Sequence, residues 1–328
     1  MRAETFYRGR RVVVTGGAGF IGSNLVHRLA ELGAQIHVVD ALVPQTGANR
    51  FNLDRLANRI TLHERNISDA AGALDGVEVV FNLAGQGNHL LSMSDPSLDL
   101  ALNCSDQLKF LEAARRLARA PRIVLASTRQ VYGAHERLPI DELHPTRPCD
   151  LNGIHKLTCE SYHSMYSDLH GLEATILRLS NVYGPRMSMR PCVGAPVMSR
   201  FIGTAIDAGH LEIFGDGTQL RDPLYVDDAV DAFLAAGQLE KGAGVLNIAG
   251  DERVSVGAIA AAVAKAAGNG ARSSIIPFPR KRQDVDIGSS FLDCSKAQRL
   301  LGWKPQTGLE AGLLRTVAYC REYRSRYW

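Results

Sequence analysis

Residues 17–22 read Gly-Ala-Gly-Phe-Ile-Gly, and Gly16 adds a second glycine frame three residues before Gly19. This is the spacing of a loop that cradles a dinucleotide. The tight turn needs positive φ, the backbone has to approach a pyrophosphate with no Cβ in the way, and Gly22 lets the following helix lie close to the preceding strand. Amides at the start of that helix then meet the phosphates with the positive end of its dipole. Gly16, Gly19, Phe20, Ile21 and Gly22 are therefore cofactor-binding candidates. A lone glycine triplet carries little, but this one follows the apolar VVVT and opens a segment whose Ile21, Leu25 and Leu29 share a face. Eighteen residues past Gly22 the next strand ends in Asp40, whose carboxylate can accept both hydroxyls of an adenosine ribose. A 2′-phosphate would meet that negative charge, and the residues that follow are Ala41, Leu42 and Val43 rather than an arginine. The cofactor expected is NAD.

A site of this kind needs a parallel sheet behind it. Apolar bursts of strand length alternate with helix-period segments: Arg11 to Thr15 then Phe20 to Leu32, and Gln35 to Asp40 then a short helix near Leu53. Further bursts follow at Ile60 to His63, Val77 to Leu83, Arg122 to Ser127 and Ala174 to Leu179. Unbroken hydrophobicity in VVVTG, VEVVFNLAG and RIVLAS marks strands covered on both faces, as βαβ crossovers produce. The expected fold is α/β, a Rossmann-type doubly wound parallel sheet over residues 1–178. Beyond Leu179 the rhythm breaks into loops at Gly184-Pro185, Gly215-Asp216-Gly217 and Pro277-Phe278-Pro279, and residues 179–328 read as a smaller, partly interleaved substrate domain. Two long helices, Ser97 to Arg119 and Asn152 to His170, end at Pro121 and Gly171. They either cover the sheet or face a partner subunit in a homodimer.

Composition narrows the class of ligand. A chain of 328 residues, 45% hydrophobic, can bury roughly three quarters of its unfolded surface. The net charge of +3 is spread without the long basic runs or interleaved aromatics of a nucleic-acid binder, which leaves a small anionic ligand. Arg8, Arg10 and Arg11 before VVVTGGAGFIG mimic a signal peptide, but the glycines argue against one. The longest apolar candidate, VSVGAIAAAVA, falls short of the ~18 residues of a membrane helix. Six cysteines without a CxxC pair point to neither zinc nor a disulfide framework, so a soluble cytoplasmic protein is expected.

Further motifs run nearly the length of the chain: VTGGAGFIGSNL, Asp40, NISD at 66–69, FNLAG at 81–85, STRQVYG at 127–133, Lys156, LRLSNVYGPR at 177–186, GDGTQLRDPLYVDDAVDAF at 215–233 and LGWKP at 301–305. With them the sequence resembles the extended short-chain dehydrogenase/reductase family, in its nucleotide-sugar epimerase/dehydratase branch, of the UDP-glucose 4-epimerase-like kind. The resemblance implies that Asn66 and Ile67 flank the adenine, that Leu83 and Ala84 line the cofactor, and that Asn181 and Arg221 hold the phosphates of a nucleotide-diphosphate sugar. The guanidinium of Arg221, a planar fork beside a glycine loop, suits a phosphate; an ion pair with Asp222 or Asp216 is its bland alternative. A further phosphate cation is implied three residues before Asp284, at Lys281, flanked by Arg280 and Arg282. The catalytic set implied is Thr128, a tyrosine in the slot that here holds Asn152, and Lys156, which also binds the nicotinamide ribose.

Asparagine cannot ionise, so Asn152 can orient a hydroxyl or a water but cannot take the proton of a sugar alcohol. His155 lies next to Lys156, but adjacent helical residues point about 100° apart, and it reads as a surface histidine. His89, in GQGNHLL after the fourth strand, is a candidate proton acceptor against the plainer reading of a solvated loop histidine. Members of the family that remove water across C5 and C6 carry Asp-Glu after the Ser/Thr; Arg129-Gln130 supply neither acid nor ionisable base, which argues against a 4,6-dehydratase. The expected activity is NAD-dependent epimerisation of a nucleotide-linked sugar through a transient keto sugar. The alternatives are an NAD-dependent nucleotide-sugar dehydrogenase or reductase, and a catalytically impaired NAD-binding scaffold.

Overall fold

Seven apolar segments pair into one sheet: β1 (Arg11–Thr15), β2 (Gln35–Val39), β3 (Ile60–His63), β4 (Val79–Asn82), β5 (Arg122–Thr128), β6 (Ala174–Leu179) and β7 (Gly244–Ile248). The order is β7-β6-β5-β4-β1-β2-β3, with every neighbouring pair parallel. The computed structural model describes residues 3–44, 46–189, 197–278 and 287–328. β4 and β6 are buried at every residue, as their unbroken hydrophobicity requires when helices cover both faces. Alternation survives inside β1: Val12 and Val14 join the cluster containing Leu25, Leu29 and Phe233, while Val13 joins the one containing Phe110, Leu111 and Tyr166. The first face is covered by α1 (Phe20–Glu31), directly after β1. Strand order reverses between β1 and β4, and a crevice opens beyond their carboxyl ends.

The opposite face carries α3 (96–114) and α4 (Leu151–His170), and the short α2 (His89–Ser94) packs against these two helices. The helix expected over Ser97 to Arg119 differs from that expectation. α3 runs as Pro96–Leu100, a wide π turn at Ala101–Ser105, and Asp106–Ala114. The π turn is where Asn103 reaches Gln86 and Asp99, and the helix ends at Ala114 in tight turns in which the Arg116 and Leu117 amides donate to the Ala113 and Ala114 carbonyls. α4 starts on Asp150, whose carboxylate accepts the Gly153 amide at 2.7 Å, and stops at Gly171 with φ +66°. Its middle is bolted to the sheet: Glu160 takes two guanidinium nitrogens of Arg178 on β6, and also the Ser127 hydroxyl of β5. That clamp, one turn past Lys156, fixes the height of the lysine over the sheet.

Residues beyond 178 contribute to both halves. β7 extends the sheet, and α6 (Val226–Gly237) packs on β4, β5, β6 and α1. The remainder builds a second core, in which Met198, Phe201 and Ile202 of α5 (Val197–Ile206), Ile259 and Val263 of α7 (Val256–Ala267), and Leu313 and Val317 of α8 (Leu309–Glu322) meet. A parallel pair, His210–Phe214 with Arg272–Ile276, flanks it. Among the described residues no helix is long and apolar enough to cross a membrane.

Candidate active site

The glycine loop makes the head of the crevice. Gly16 sits at φ +68°, and a Cβ there would lie 2.6 Å from the Leu83 carbonyl oxygen of the loop after β4. A Cβ on Gly22 would lie 2.2 Å from the Gly16 carbonyl, so α1 starts as close to the loop as backbone allows. Gly19 is the extended residue before α1, and the amides of Phe20, Ile21 and Gly22 have no partner within the helix. A cleft of about 290 Å³ is lined by all of these, together with Asp40, Asn66, Ile67, Leu83, Ala84, Gly85, Gly87 and Ala126. The cradle fits a dinucleotide: it offers backbone donors, a helix terminus and no Cβ.

Asp40 lies at the far wall of the loop. Its Oδ2 accepts the Ala18 amide at 2.9 Å and its Oδ1 the Leu42 amide at 2.8 Å. Burial holds its carboxyl above the ordinary range, with the Leu42 and Ala18 amides opposing. Each oxygen keeps a lone pair for a ribose hydroxyl. Asn66 is fixed by its own bonds, donating to Asp106 at 2.8 Å and accepting the Ser68 amide. Leu83 and Ala84 are tied to Thr15 of β1 through its carbonyl and hydroxyl.

At the other end Thr128 closes β5, with Oγ1 accepting the Gln130 amide at 3.3 Å. Lys156 reaches under Gly85, where an added Cβ would be 2.8 Å from its Nζ. Burial lowers the lysine from its usual value, with Cys159, Asp99, Cys104 and Glu160 opposing. Asn152, 1% exposed, turns both amide hydrogens inward, to the Gln86 carbonyl at 2.8 Å and to Asp99 Oδ1 at 3.1 Å. That leaves Oδ1 as the atom with which it can meet a ligand. His155 is not the surface histidine that the sequence implied: it is buried and donates from Nδ1 to Asp99 Oδ2 at 2.6 Å. Asp99 is itself fully buried and gathers Gln86, Asn103, Asn152 and His155, because an unpaired carboxylate there would be costly. Spacing along α4 could not reveal this partner, which lies 56 residues away.

The second half of the chain supplies polar groups to the same end of the sheet. Arg221 donates to the carbonyls of Leu220 and Gly288 at 2.8 and 2.6 Å. Asp222 turns its carboxylate to Ser180 and the Leu292 amide, and Asp216 turns to Thr218. Asn181 accepts from Arg129 Nη2 at 3.4 Å, while its Nδ2 is buried without a partner among the described residues. Arg129 also donates to Ser290 at 3.1 Å. Burial lowers Arg129 from its usual value, against the pull of Asp222. His135 is lowered by burial and then by the positive charges of His144, Arg129 and Arg221, which marks the region as cationic. Lys281, with its neighbours Arg280 and Arg282, lies outside the described residues. Sequence reasoning read Arg129 only as a missing acid; its signal was a cation directly after Thr128 at a strand end. Asp99, Gln86 and Asn103 had no signal beyond their polarity.

Comparison with known proteins covers the same ground. A UDP-glucose 4-epimerase of Mycolicibacterium smegmatis is 34% identical over 316 residues, 95% of this chain and 98% of that one. The crystal structure of UDP-glucose 4-epimerase with UDP-glucose from Thermotoga maritima, 34% identical, superposes with a TM-score of 0.84 over 95% of this chain and 98% of that one. UDP-glucuronic acid 4-epimerase from Bacillus cereus, crystallised with UDP-glucuronic acid and NAD, is 28% identical with a TM-score of 0.82, covering 95% and 99%. The profile of the NAD dependent epimerase/dehydratase family matches residues 12–249, the span that carries the glycine loop, Asp40, Thr128 and Lys156, and this chain belongs to that family.

Proposed function

We propose that this protein is an NAD-dependent epimerase of a nucleotide-diphosphate sugar. The observation that carries the reading is a cleft that runs from Gly16–Gly22 to Gly85, under which Lys156 reaches, and to Ala126 of β5, two residues before Thr128, in a chain similar over 95% of its length to UDP-sugar 4-epimerases. Bound NAD supplies a hydride acceptor that later returns the hydride, so cofactor is not consumed. The amides of Phe20, Ile21 and Gly22 bind the pyrophosphate, and Asp40 accepts the adenosine ribose hydroxyls. Asn66 and Ile67 flank the adenine. Lys156 holds the nicotinamide ribose beside Gly85, and Thr128 Oγ1 bonds the reacting hydroxyl. Asn152 steadies that hydroxyl or a water through Oδ1. Asn181, Arg221 and Lys281 take the substrate phosphates, with the unpartnered Asn181 Nδ2 supplying one donor. Arg129 and Gln130 bring no acid to the sugar, which supports epimerisation over loss of water.

The chain acts as a homodimer in this reading. Leu100 and Leu108 on α3 and Ile154, Met165 and Leu169 on α4 stand exposed, the last two lining a shallow concavity of about 550 Å³. Five described cysteines are free thiols, as suits the cytoplasm.

A panel of nucleotide hexoses and hexuronates incubated with the NAD-loaded protein tests the activity. Isomerised sugar by NMR without net change in nicotinamide absorbance is the expected result. Accumulating NADH would make the protein a dehydrogenase, and an unchanged panel with NAD bound would make it a scaffold.

A further inference from the structure

Oxidising a sugar alcohol releases a proton along with the hydride, and Asn152 has no place for it. Among the described residues around Thr128, three carry a basic side-chain nitrogen that bears on the question: His155, Lys156 and His89. His155 is locked inward on Asp99, and Lys156 is needed as a cation over the ribose. The third is His89, at the start of α2, two residues after the cleft-lining Gly87.

We propose that His89, held by Asp150, is the group that accepts the proton of the sugar hydroxyl and returns it, a role that rests on the epimerase reading. The ring is clamped from one side and presented on the other. Nδ1–H donates to Asp150 Oδ2, while Nε2 faces the Gln130 amide, which donates to it. Asp150 is itself immobile, because its Oδ1 caps α4 through the Gly153 amide at 2.7 Å. The carboxylate side chain is 12% exposed and the imidazole 40%, so the anchor is covered and the ring is open to a ligand. Burial would raise Asp150, but the His89 bond and charge and the Gly153 amide outweigh it and hold the carboxyl below the ordinary range. It therefore stays charged where the enzyme works. A charged carboxylate behind Nδ1 fixes the tautomer with its lone pair on Nε2 and stabilises the imidazolium that forms.

Gln130 ties the ring to the reaction centre. Its backbone amide donates to Thr128 Oγ1, and its side chain reaches His89, so hydroxyl and ring sit on either side of one residue. Its Oε1 is buried without a partner among the described residues, which means the side chain is held from one end only. A substrate hydroxyl that takes its place on Nε2 has this one bond of the Gln130 side chain to displace. In the forward step the O–H bond breaks, its proton goes to Nε2, the carbonyl forms, and the hydride leaves the same carbon for NAD. In the return step the hydride comes back to the other face and Nε2–H protonates the oxygen, so both groups end as they began.

The charged groups on the elements around His89 are Asp150, His155 and Lys156 at the head of α4, Asp99 in α3 and Arg129 beside Gln130. A pH profile alone would mix them, so the test uses variants. His89→Asn keeps a donor for Asp150 and removes the base. Expected are a loss of roughly 10²–10⁴ in kcat and NAD and product binding within about threefold of the wild type. Asp150→Asn, which still caps α4, should lose about tenfold or more in kcat with the same binding. Isomerisation by the wild type together with full kcat in His89→Asn would overturn the assignment of His89 alone. A wild type that isomerises none of the panel would overturn both it and the epimerase reading.

Discussion

The two ends of the crevice are made from different material. At Gly16–Gly22 the fit is backbone against backbone, with carbonyls of Leu83 and Gly16 within 2.6 and 2.2 Å of where a Cβ would stand. At the head of α4 the fit is side chain against side chain, with Asp99 collecting Gln86, Asn103, Asn152 and His155 in one buried knot. A backbone site admits almost one residue type per position, so it is written into the sequence. A side-chain network can exchange a member as long as every polar group stays paired. Asn152 illustrates the second case: its two amide hydrogens satisfy the knot, to the Gln86 carbonyl and to Asp99.

The network is where damage should be largest. Asp99→Leu removes the common acceptor of four donors and leaves them buried. Breaking a buried charged pair typically costs about 3–5 kcal/mol, and the urea midpoint should fall by the corresponding amount. Asp99→Asn, which keeps an oxygen in place of Oδ1, should lose less than half of that. Equal stability of Asp99→Leu and the wild type would show that the knot does not hold α4.

The glycine end should respond in binding as well as in folding. Gly22→Ala forces the Gly16 carbonyl to move, and overpacking of this kind costs about 1–3 kcal/mol. NAD affinity measured by calorimetry should drop ~10–100-fold. Gly72→Ala is the control, since nothing lies within 4 Å of a Cβ there. A Gly22→Ala protein with unchanged affinity would break the contrast between the two ends.

That contrast also explains what could be read without coordinates. β1 lies where its apolar burst put it and β5 runs on only to Thr128, because continuous hydrophobicity between turn residues specifies a doubly covered strand, while β3, also where expected, is an edge strand with no buried residue. The glycine spacing and Asp40 led to the cleft for the same local reason. The interruption of α3 at Ala101–Ser105 was not legible, since a π turn there answers to Gln86 and Asp99 rather than to helix propensity. His155 was misread as exposed because its partner is remote in sequence. His89 stood out as a polar residue in a loop, but only the structure joins it to Asp150, 61 residues on, and to Gln130, 41 residues on.

Asp40 sits between the two kinds of site, a side chain fixed by backbone, and should give the smallest effect. The folded carboxyl lies above its ordinary 3.8 because burial penalises the charge, against the Leu42 and Ala18 amides. Its stabilising contribution is therefore present below 3.8 and lost as pH rises through the raised value, so the NAD-free protein bears a cost at neutral pH. Ribose hydroxyls donate to the charged form and offset that cost. NAD affinity should accordingly fall when pH drops through the raised range, where the carboxyl takes up its proton. Asp40→Asn keeps a hydrogen-bonding oxygen but loses charge assistance, worth about 1 kcal/mol, or roughly fivefold in NAD affinity at neutral pH. The variant should also bind NADP more nearly as well as NAD, since the repulsion of a 2′-phosphate is gone. Titrations of both proteins from neutral to acidic pH should converge, the wild type losing affinity and Asp40→Asn staying flat. Parallel curves would mean that the acid-sensitive contact lies elsewhere in the cleft, and a wild type that binds NADP as well as NAD would remove Asp40 from the ribose.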